Sequence, residues 1–177
     1  MEQDPEHQIA LKRLMGYAKA DVSGNGKLRT ILESVIGDAM QPALAHLAMG
    51  NLCWLEDDQE NAMFHFEQAI SQRDDMAVTL NNLAWMVAHE DQNPDPDRAL
   101  ALINTALEQR PEDPRFLDTK GTILLIKEDW KSAITFLEKA LSKTTGIEKK
   151  AIHKKLAAAY DALGMTGLAD QHRLRMK

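Results

Sequence analysis

The sequence predicts an all-α protein built from stacked antiparallel helix pairs. Apolar residues recur at helical spacing, as in Phe66, Ala69 and Ile70 and again in residues 134–141. Each such segment lasts about a dozen residues, which is the length of a helix rather than a strand. A single helix pair leaves one apolar face uncovered, and stacking against a neighbouring pair buries that face. The expected product is an elongated array with a concave inner surface.

Small residues set the period of this array. Gly50 and Ala84 are 34 residues apart, and Ala84 and Gly121 are 37 apart. The three extra residues fall in the Pro-rich segment 90–96, where added loop length costs little free energy. In the second helix of each unit an Ala, a large apolar residue and another Ala recur: Ala62/Phe66/Ala69, Ala99/Ile103/Ala106 and Ala133/Leu137/Ala140. A fourth unit follows with Ala157, Tyr160, Gly164 and Ala169.

These recurring residues resemble the tetratricopeptide repeat (TPR) family over about residues 43–177. The resemblance implies a TPR-like α-solenoid, a right-handed superhelix of stacked antiparallel helix pairs. The expected repeats are about 43–76, 77–113, 114–149 and 150–177. The sequence departs from the family pattern where an aromatic residue is usual near the helix start, at His46, Leu80, Leu117 and His153, and where Pro is common, at Asp74 and Thr145.

Residues 1–42 have two interpretations, an N-terminal helical cap or a degenerate repeat. Residues 9–20 are amphipathic, and a second apolar helix face is expected from Leu28, Ile31, Leu32, Val35 and Ile36. Gly16 lies 34 residues before Gly50, which suits a degenerate repeat.

Charge and composition restrict the function. The 177 residues carry a formal charge of −6, which argues against a general nucleic-acid-binding surface. From Glu138 onward the chain has nine Lys or Arg and four Asp or Glu. The rest of the chain has 12 Lys or Arg and 23 Asp or Glu. This basic end is typical of a solvated terminal helix pair, and contact with an acidic partner or with membrane headgroups is the alternative.

Other features bear on the compartment. The single cysteine, Cys53, excludes a disulfide within the chain, and we expect it to be a small buried apolar residue. No apolar run approaches the roughly 20 residues of a membrane span. The acidic start lacks a basic-then-apolar signal, so the sequence predicts a cytoplasmic protein if Met1 is the natural start.

No motif supports catalysis, a metal or a cofactor. Residues 21–28 match the first part of an EF-hand calcium loop, but Leu32 stands at the twelfth place, where the bidentate Glu is required, and Lys27 has the wrong charge. A turn between two helices explains the same residues. The six histidines form no metal-binding cluster, and we expect His46 and His153, at equivalent repeat positions, to pack between helices. Without a phosphate loop or nucleophile motif, the sequence predicts a protein that is not an enzyme.

In the TPR family, ligands lie along the concave face formed by the first helix of each repeat. The resemblance therefore implies a non-catalytic adaptor or scaffold that binds a protein or peptide segment there. Asn amides pair with peptide groups, and Trp supplies contact area, although Trp54 and Trp85 are alternatively inter-helix core. The residues expected on this face are Leu47, Asn51, Trp54, Asn81, Asn82, Trp85, His89, Arg115, Asp118, Thr119, Thr122, Leu125 and Lys154.

One TPR subclass binds acidic chaperone tails through a carboxylate clamp. Asn51, Asn82 and Arg115 occupy clamp positions, but Leu47 and Thr119 replace two of the basic residues. A terminal carboxylate would lack most of its counter-charge on this face, so we expect no chaperone-tail binding there.

Two other functions remain open from the sequence. The array could self-associate through its short final repeat, giving a homo-oligomer. Alternatively, it could be the recognition domain of a larger enzyme or of an envelope assembly complex.

Overall fold

The computed structural model describes residues 25–37, 42–73, 75–90 and 92–176. Over these residues the chain forms nine α-helices and no strands, which confirms the predicted all-α fold class. In chain order the helices are α1 Asn25–Gly37, α2 Pro42–Leu55, α3 Gln59–Gln72, α4 Ala77–Ala88, α5 Pro96–Gln109, α6 Pro114–Ile126, α7 Trp130–Lys143, α8 Glu148–Ala162 and α9 Thr166–Leu174.

The chain divides into two compact units, with the boundary between Thr79 and Leu80 inside α4. In the first unit, α2 packs against both α1 and α3. The tightest approach is at Gly50, where an added Cβ would lie 2.6 Å from Cδ1 of Phe66. Ala43, Ala69 and Met76 form a buried cluster beside this contact. A residue without a side chain in α2 thus lets the large ring of α3 reach the centre of the pair.

In the second unit, α6 packs against α5 and α7, and α8 packs against α7 and α9. Gly121 of α6 repeats the close approach, because an added Cβ would lie 2.6 Å from Cγ of Leu137 in α7. The main apolar cluster continues from this contact into the last helix pair through Leu117, Leu137, Ala140, Ile152, Leu156, Tyr160 and Ala169. The final pair is therefore covered on one side by α7.

The second helices bury the residues that the repeat pattern selects. In α3, α5 and α7 the buried side chains are Ala62/Phe66/Ala69, Ala99/Ile103/Ala106 and Ala133/Leu137/Ala140. Alternating small and large residues at helical spacing lets the neighbouring helix approach closely while filling the space between the axes. The predicted roles of these nine positions are confirmed.

The same tight turn recurs within three of the helix pairs. A residue with positive φ stands at equivalent places: Asp57 at 62°, Glu128 at 59° and Gly164 at 72°. The N–H of the following residue then donates to the carbonyl five positions earlier, as from Asp58 to Cys53 at 2.9 Å and from Met165 to Tyr160 at 2.8 Å. This hydrogen bond closes a turn of six residues, which ends the first helix and reverses the direction of the chain.

Aspartate side chains begin four of the helices. Asp58, Asp95 and Asp129 accept from the N–H three residues later, at the starts of α3, α5 and α7. Asp113 accepts from the N–H of Arg115 at the start of α6. Each bond satisfies a backbone donor that the helix cannot pair internally. In the turns that precede α3 and α7 the capping Asp directly follows the positive-φ residue. One short segment therefore ends a helix and starts the next.

The N-terminal expectations fall partly outside the described residues. Segment 9–20, Gly16 and residues 21–24 lie there, and with them the start of the candidate calcium loop. The remainder of that loop belongs to α1, which begins at Asn25. The expected apolar face of α1 is only partly correct, since Leu32 is buried but Ile31 is 52% exposed. Adjacent helical positions differ by about 100° around the axis, so only one of the two can face α2.

Candidate functional site

An exposed aromatic stack lies on α4. The indole of Trp85 is 39% exposed, and its centroid is 4.3 Å from that of the His89 imidazole at an interplanar angle of 17°. His89 Nδ1 is 2.8 Å from the carbonyl oxygen of Trp85. A carbonyl only accepts, so Nδ1 carries the proton of this hydrogen bond and Nε2 lies at the other side of the ring. The stack therefore offers a flat surface with a polar edge.

Two asparagines precede this stack by about one helical turn. Nδ2 of Asn81 lies 3.4 Å from Oδ1 of Asn82, a long contact within one strip of the helix. Oδ1 of Asn81 is buried and has no hydrogen-bond donor among the described residues. Buried acceptors are nearly always paired, so this oxygen gains a partner only if the Asn81 amide rotates to bring it to the surface. We call Asn81, Asn82, Trp85 and His89 the α4 strip.

A partly buried ion pair joins α6 to α8. Both carboxylate oxygens of Asp118 lie 2.8 Å from Nζ of Lys155. Thr122, one turn further along α6, donates its hydroxyl to the carbonyl of Asp118 at 2.8 Å. Lys154, the predicted face residue, is exposed and takes no part in this pair. The two lysines are adjacent in sequence, and only the packing of α8 on α6 determines which one meets Asp118.

The side chain of Arg115 pairs with the residue that caps the start of its own helix, α6. Its guanidinium pairs with the carboxylate of Asp113 at 2.9 Å and 3.2 Å. The hydrogen bond to Asp113 raises the pKa of Arg115, and the same bond lowers the pKa of the Asp113 carboxyl. The clamp position is therefore already occupied by an internal carboxylate, and Thr119 nearby is buried. This arrangement adds to the reasons for expecting no chaperone-tail binding.

The expected face residues of the first unit lie on α2. Asn51 donates its amide to the carbonyl of Leu47 at 2.9 Å, and Trp54 is 39% exposed. Neither Trp54 nor Trp85 is a fully buried core residue. Besides the buried Thr119, two expected face residues pack against the interior: Leu47 contacts the Ala43–Ala69–Met76 cluster, and Leu125 contacts the main cluster of the second unit. Their apolar side chains lie beside buried neighbours, so removal from water outweighs exposure on a binding face.

Two histidine pairs are the main feature that sequence reasoning missed. His46 of α2 and His65 of α3 have their Nδ1 atoms 2.9 Å apart. His153 of α8 and His172 of α9 repeat this contact at the same distance and the same spacing of 19 residues. His46 and His153 do pack between helices, as predicted. The signal that was available is the recurrence of a second histidine 19 positions later in both repeats.

Each histidine pair restricts the protonation of its own two rings. An Nδ1–Nδ1 distance of 2.9 Å holds one proton, so one ring donates and the other accepts. A second Nδ1 proton would place two N–H groups against each other. Burial is the main cause that lowers the pKa of His46, His65, His153 and His172, and for the last three neighbouring cations or the partner imidazole add to it.

We expect stability to fall with acidification because of these pairs. The unfolded chain titrates near the ordinary histidine pKa of 6.5, and the folded pKa is lower, so the unfolded state binds more protons in between. The contribution of the histidine pairs to the free energy of unfolding is complete above about pH 6.5. It is lost as pH falls towards the pKa of these histidines in the folded protein. Tm measured across a range of about pH 7.5 to 5 checks this. His65→Asn should flatten the fall because it removes a titrating ring. An equal slope in wild type and in His65→Asn would contradict the assignment.

Neither a metal centre nor a membrane-spanning helix is found in the described ranges. No group of three or more His, Cys, Asp or Glu side chains there is placed to hold a metal ion. None of the helices in that part of the chain is long and apolar enough to cross a membrane. Cys53 is fully buried, as predicted, and burial raises the pKa of its thiol.

Antiparallel helix pairs with repeated small–large packing define an α-helical repeat protein. Its fold is that of the tetratricopeptide repeat proteins, as predicted. No protein-family model matches the sequence, and no curated protein matches it either.

Similarity to solved structures supports this assignment of the fold. PilW, a widely conserved type IV pilus biogenesis factor, is 19% identical with a TM-score of 0.79, over 98% of this chain and 77% of PilW. MamA from Desulfovibrio magneticus RS-1 is 16% identical with a TM-score of 0.78, over 94% and 91% of the two chains. TTC0263, a thermophilic TPR protein of Thermus thermophilus, is 16% identical with a TM-score of 0.67, over 93% and 87%.

Proposed function

We propose that this protein is a non-catalytic interaction module that binds an extended segment of another protein along the α4 strip. The supporting observation is the exposed Trp85–His89 stack beside the amides of Asn81 and Asn82. A helical repeat scaffold presents such strips on rigid elements and has no need of a catalytic pocket.

The spacing of the strip suits a peptide backbone. Asn81 and Trp85 are four residues apart, a rise of about 6 Å along the helix. Two residues of extended chain span about 6.6 Å, so once the Asn81 amide has rotated outwards one peptide N–H can donate to its Oδ1 while a neighbouring side chain lies on the indole. Satisfying a buried acceptor removes a desolvation cost of about 1–3 kcal/mol. A large aromatic anchor supplies the apolar part of the binding energy.

We expect the double variant Asn82→Ala/Trp85→Ala to lose the partner. Trp85 supplies the contact area, and Asn82 supplies an amide about one helical turn before it. An affinity pull-down with quantitative mass spectrometry of the retained proteins measures the loss, which should be about tenfold or more in captured partner.

A matched control has the same chemistry on a second helix. Phe64→Ala/Gln68→Ala removes an exposed aromatic ring and an amide from α3, outside the proposed strip. It should capture the partner as wild type does, and both variants should keep the wild-type circular dichroism spectrum. A partner retained equally by wild type and by the α4 variant would place the binding site elsewhere.

Self-association is the second candidate, and exposed apolar side chains on the last helix pair favour it. Ile147 is 80% exposed, Leu174 64%, Met165 49% and Leu168 40%. If these side chains pair two copies, light scattering over a concentration series should show mass rising towards a dimer. Leu168→Glu/Leu174→Glu should then remain monomeric, because burying two carboxylates in an apolar interface is costly. A constant monomer mass for wild type would exclude this candidate.

A further inference from the structure

A second candidate site lies where α7, α8 and α9 meet. An open cleft of about 470 Å³ is present there. Its lining comes from all three helices and includes Glu138, Leu141, Ser142, Lys149, His153, His172 and Arg175. None of these residues belongs to the α4 strip. The volume falls in the range of small-molecule binding pockets, about 300–1,000 Å³.

The cleft has an excess of positive charge. Lys149 and Arg175 are exposed, and neither is paired with a carboxylate within the part of the chain that the structure describes. The single acidic group of the lining, Glu138, accepts a hydrogen bond from the Tyr160 hydroxyl at 2.7 Å. Burial, followed by this bond to Glu138, raises the pKa of Tyr160 to about 12, so Tyr160 stays neutral. Two cations therefore face one engaged carboxylate.

The histidine pair lies in the wall of the cleft. His153 is 7% exposed and His172 is 8% exposed, and their shared Nδ1 contact leaves room for one additional proton on the pair. The charged groups around the pair are Glu138 on α7, Lys149 on α8 and Arg175 at the end of α9, with the neutral Tyr160 of α8 stacked on His172. Burial and the cations oppose that proton, and Glu138 favours it. An anion between Lys149 and Arg175 would offset the repulsion.

The first helix pair offers an internal comparison. Aligned on its own histidines, His46 and His65, it has Pro42 in place of Lys149 and Gln68 in place of Arg175. The histidine contact is thus common to two repeats, whereas the cations are specific to the last one. Helix packing alone does not require them.

We propose that this cleft binds an acidic polypeptide segment, with its carboxylates on Lys149 and Arg175, and that binding promotes proton uptake by the His153–His172 pair. The cleft is larger than one carboxylate needs, and its cations come from different helices, which suits successive acidic side chains. Each ammonium or guanidinium forms a charge-assisted bond to a carboxylate oxygen. Because protonation and binding are linked, affinity rises as pH falls from about 7.5 to about 6.

Isothermal titration calorimetry of the full chain with acetyl-tetraglutamate-amide tests the site. This capped peptide has no terminal carboxylate, so clamp-type binding on the first-helix face is not measured. Lys149→Ala/Arg175→Ala should weaken binding about tenfold. Lys131→Ala/Lys154→Ala, which removes two exposed cations outside the cleft, should change it less than about twofold. Capped tetraglutamine should not bind.

Proton uptake has a separate readout that needs no variant. Histidine NMR titration of wild type should show the pKa of the His153–His172 pair rising when tetraglutamate is present, with the His46–His65 pair unchanged. Absence of peptide binding, or equal weakening in both double variants, would overturn the site. Peptide binding without a pKa change at His153 and His172 would overturn the proton coupling. Neither result bears on the α4 strip, whose pull-down uses different residues.

Discussion

Gly121→Val should destabilise the second unit by about 3 kcal/mol. An added Cβ at Gly121 would lie 2.6 Å from Cγ and 2.8 Å from Cδ2 of Leu137, and 3.4 Å from the Leu137 backbone nitrogen. Leu137 is fully buried, so its side chain has no free space to move into. The two helices must separate or Leu137 must leave its rotamer. We expect Tm to fall by roughly 10 °C or more, measured by thermal unfolding.

The same substitution at Gly167 is the control. Gly167 lies in α9, and nothing lies within 4 Å of an added Cβ. Gly167→Val should change stability by less than about 0.5 kcal/mol, because Gly and Val differ little in helix propensity. Adding Leu137→Ala to Gly121→Val should recover part of the loss, since the smaller side chain makes room for the new methyl groups. Equal Tm values for the Gly121 and Gly167 variants would disprove the close approach.

Phe66→Ala should destabilise the first unit by about 4 kcal/mol. Phe66 is 1% exposed and its ring lies against Gly50, so truncation removes apolar burial and leaves a cavity between α2 and α3. The small residue opposite cannot fill that space. Urea denaturation followed by circular dichroism measures the change in the free energy of unfolding.

Phe64 provides the matched control two positions away on the same helix. It is 51% exposed, so Phe64→Ala should cost less than about 1 kcal/mol. The two variants have identical composition and differ only in which face of α3 loses a ring. Similar losses in both would mean that Phe66 is not the centre of this pair.

Helix packing within the repeats was predictable from the sequence to the level of single residues. Gly50, Gly121, Phe66 and Leu137 recur at equivalent repeat positions, and the structure packs each small residue against the large one of its own repeat. Size and helical phase are local properties, so a one-dimensional pattern carries them. The exposure of Ile31 beside the buried Leu32 was not predictable, because both residues are apolar and only the position of α2 selects one.

The candidate sites were less accessible from the sequence. Asn81, Asn82, Trp85 and His89 were predicted as surface residues, but the unsatisfied oxygen of Asn81 and the His89 stack are properties of the three-dimensional arrangement. Lys155, which pairs with Asp118, was not among the predicted face residues, whereas its neighbour Lys154 was. These outcomes depend on side-chain direction and on the offset between neighbouring helices, and a repeat alignment specifies neither.

The sequence by itself determined the helical class and the residues that form the interior of each pair, since periodicity and side-chain volume suffice for both. Tertiary structure alone decided which polar groups meet. The His153–His172 contact joins residues 19 apart on two helices, and the cleft adds Glu138 from a third. Hydrogen bonds and contact ion pairs form only where the two polar atoms lie about 3 Å apart. They therefore depend on how the helices are docked rather than on the order of residues.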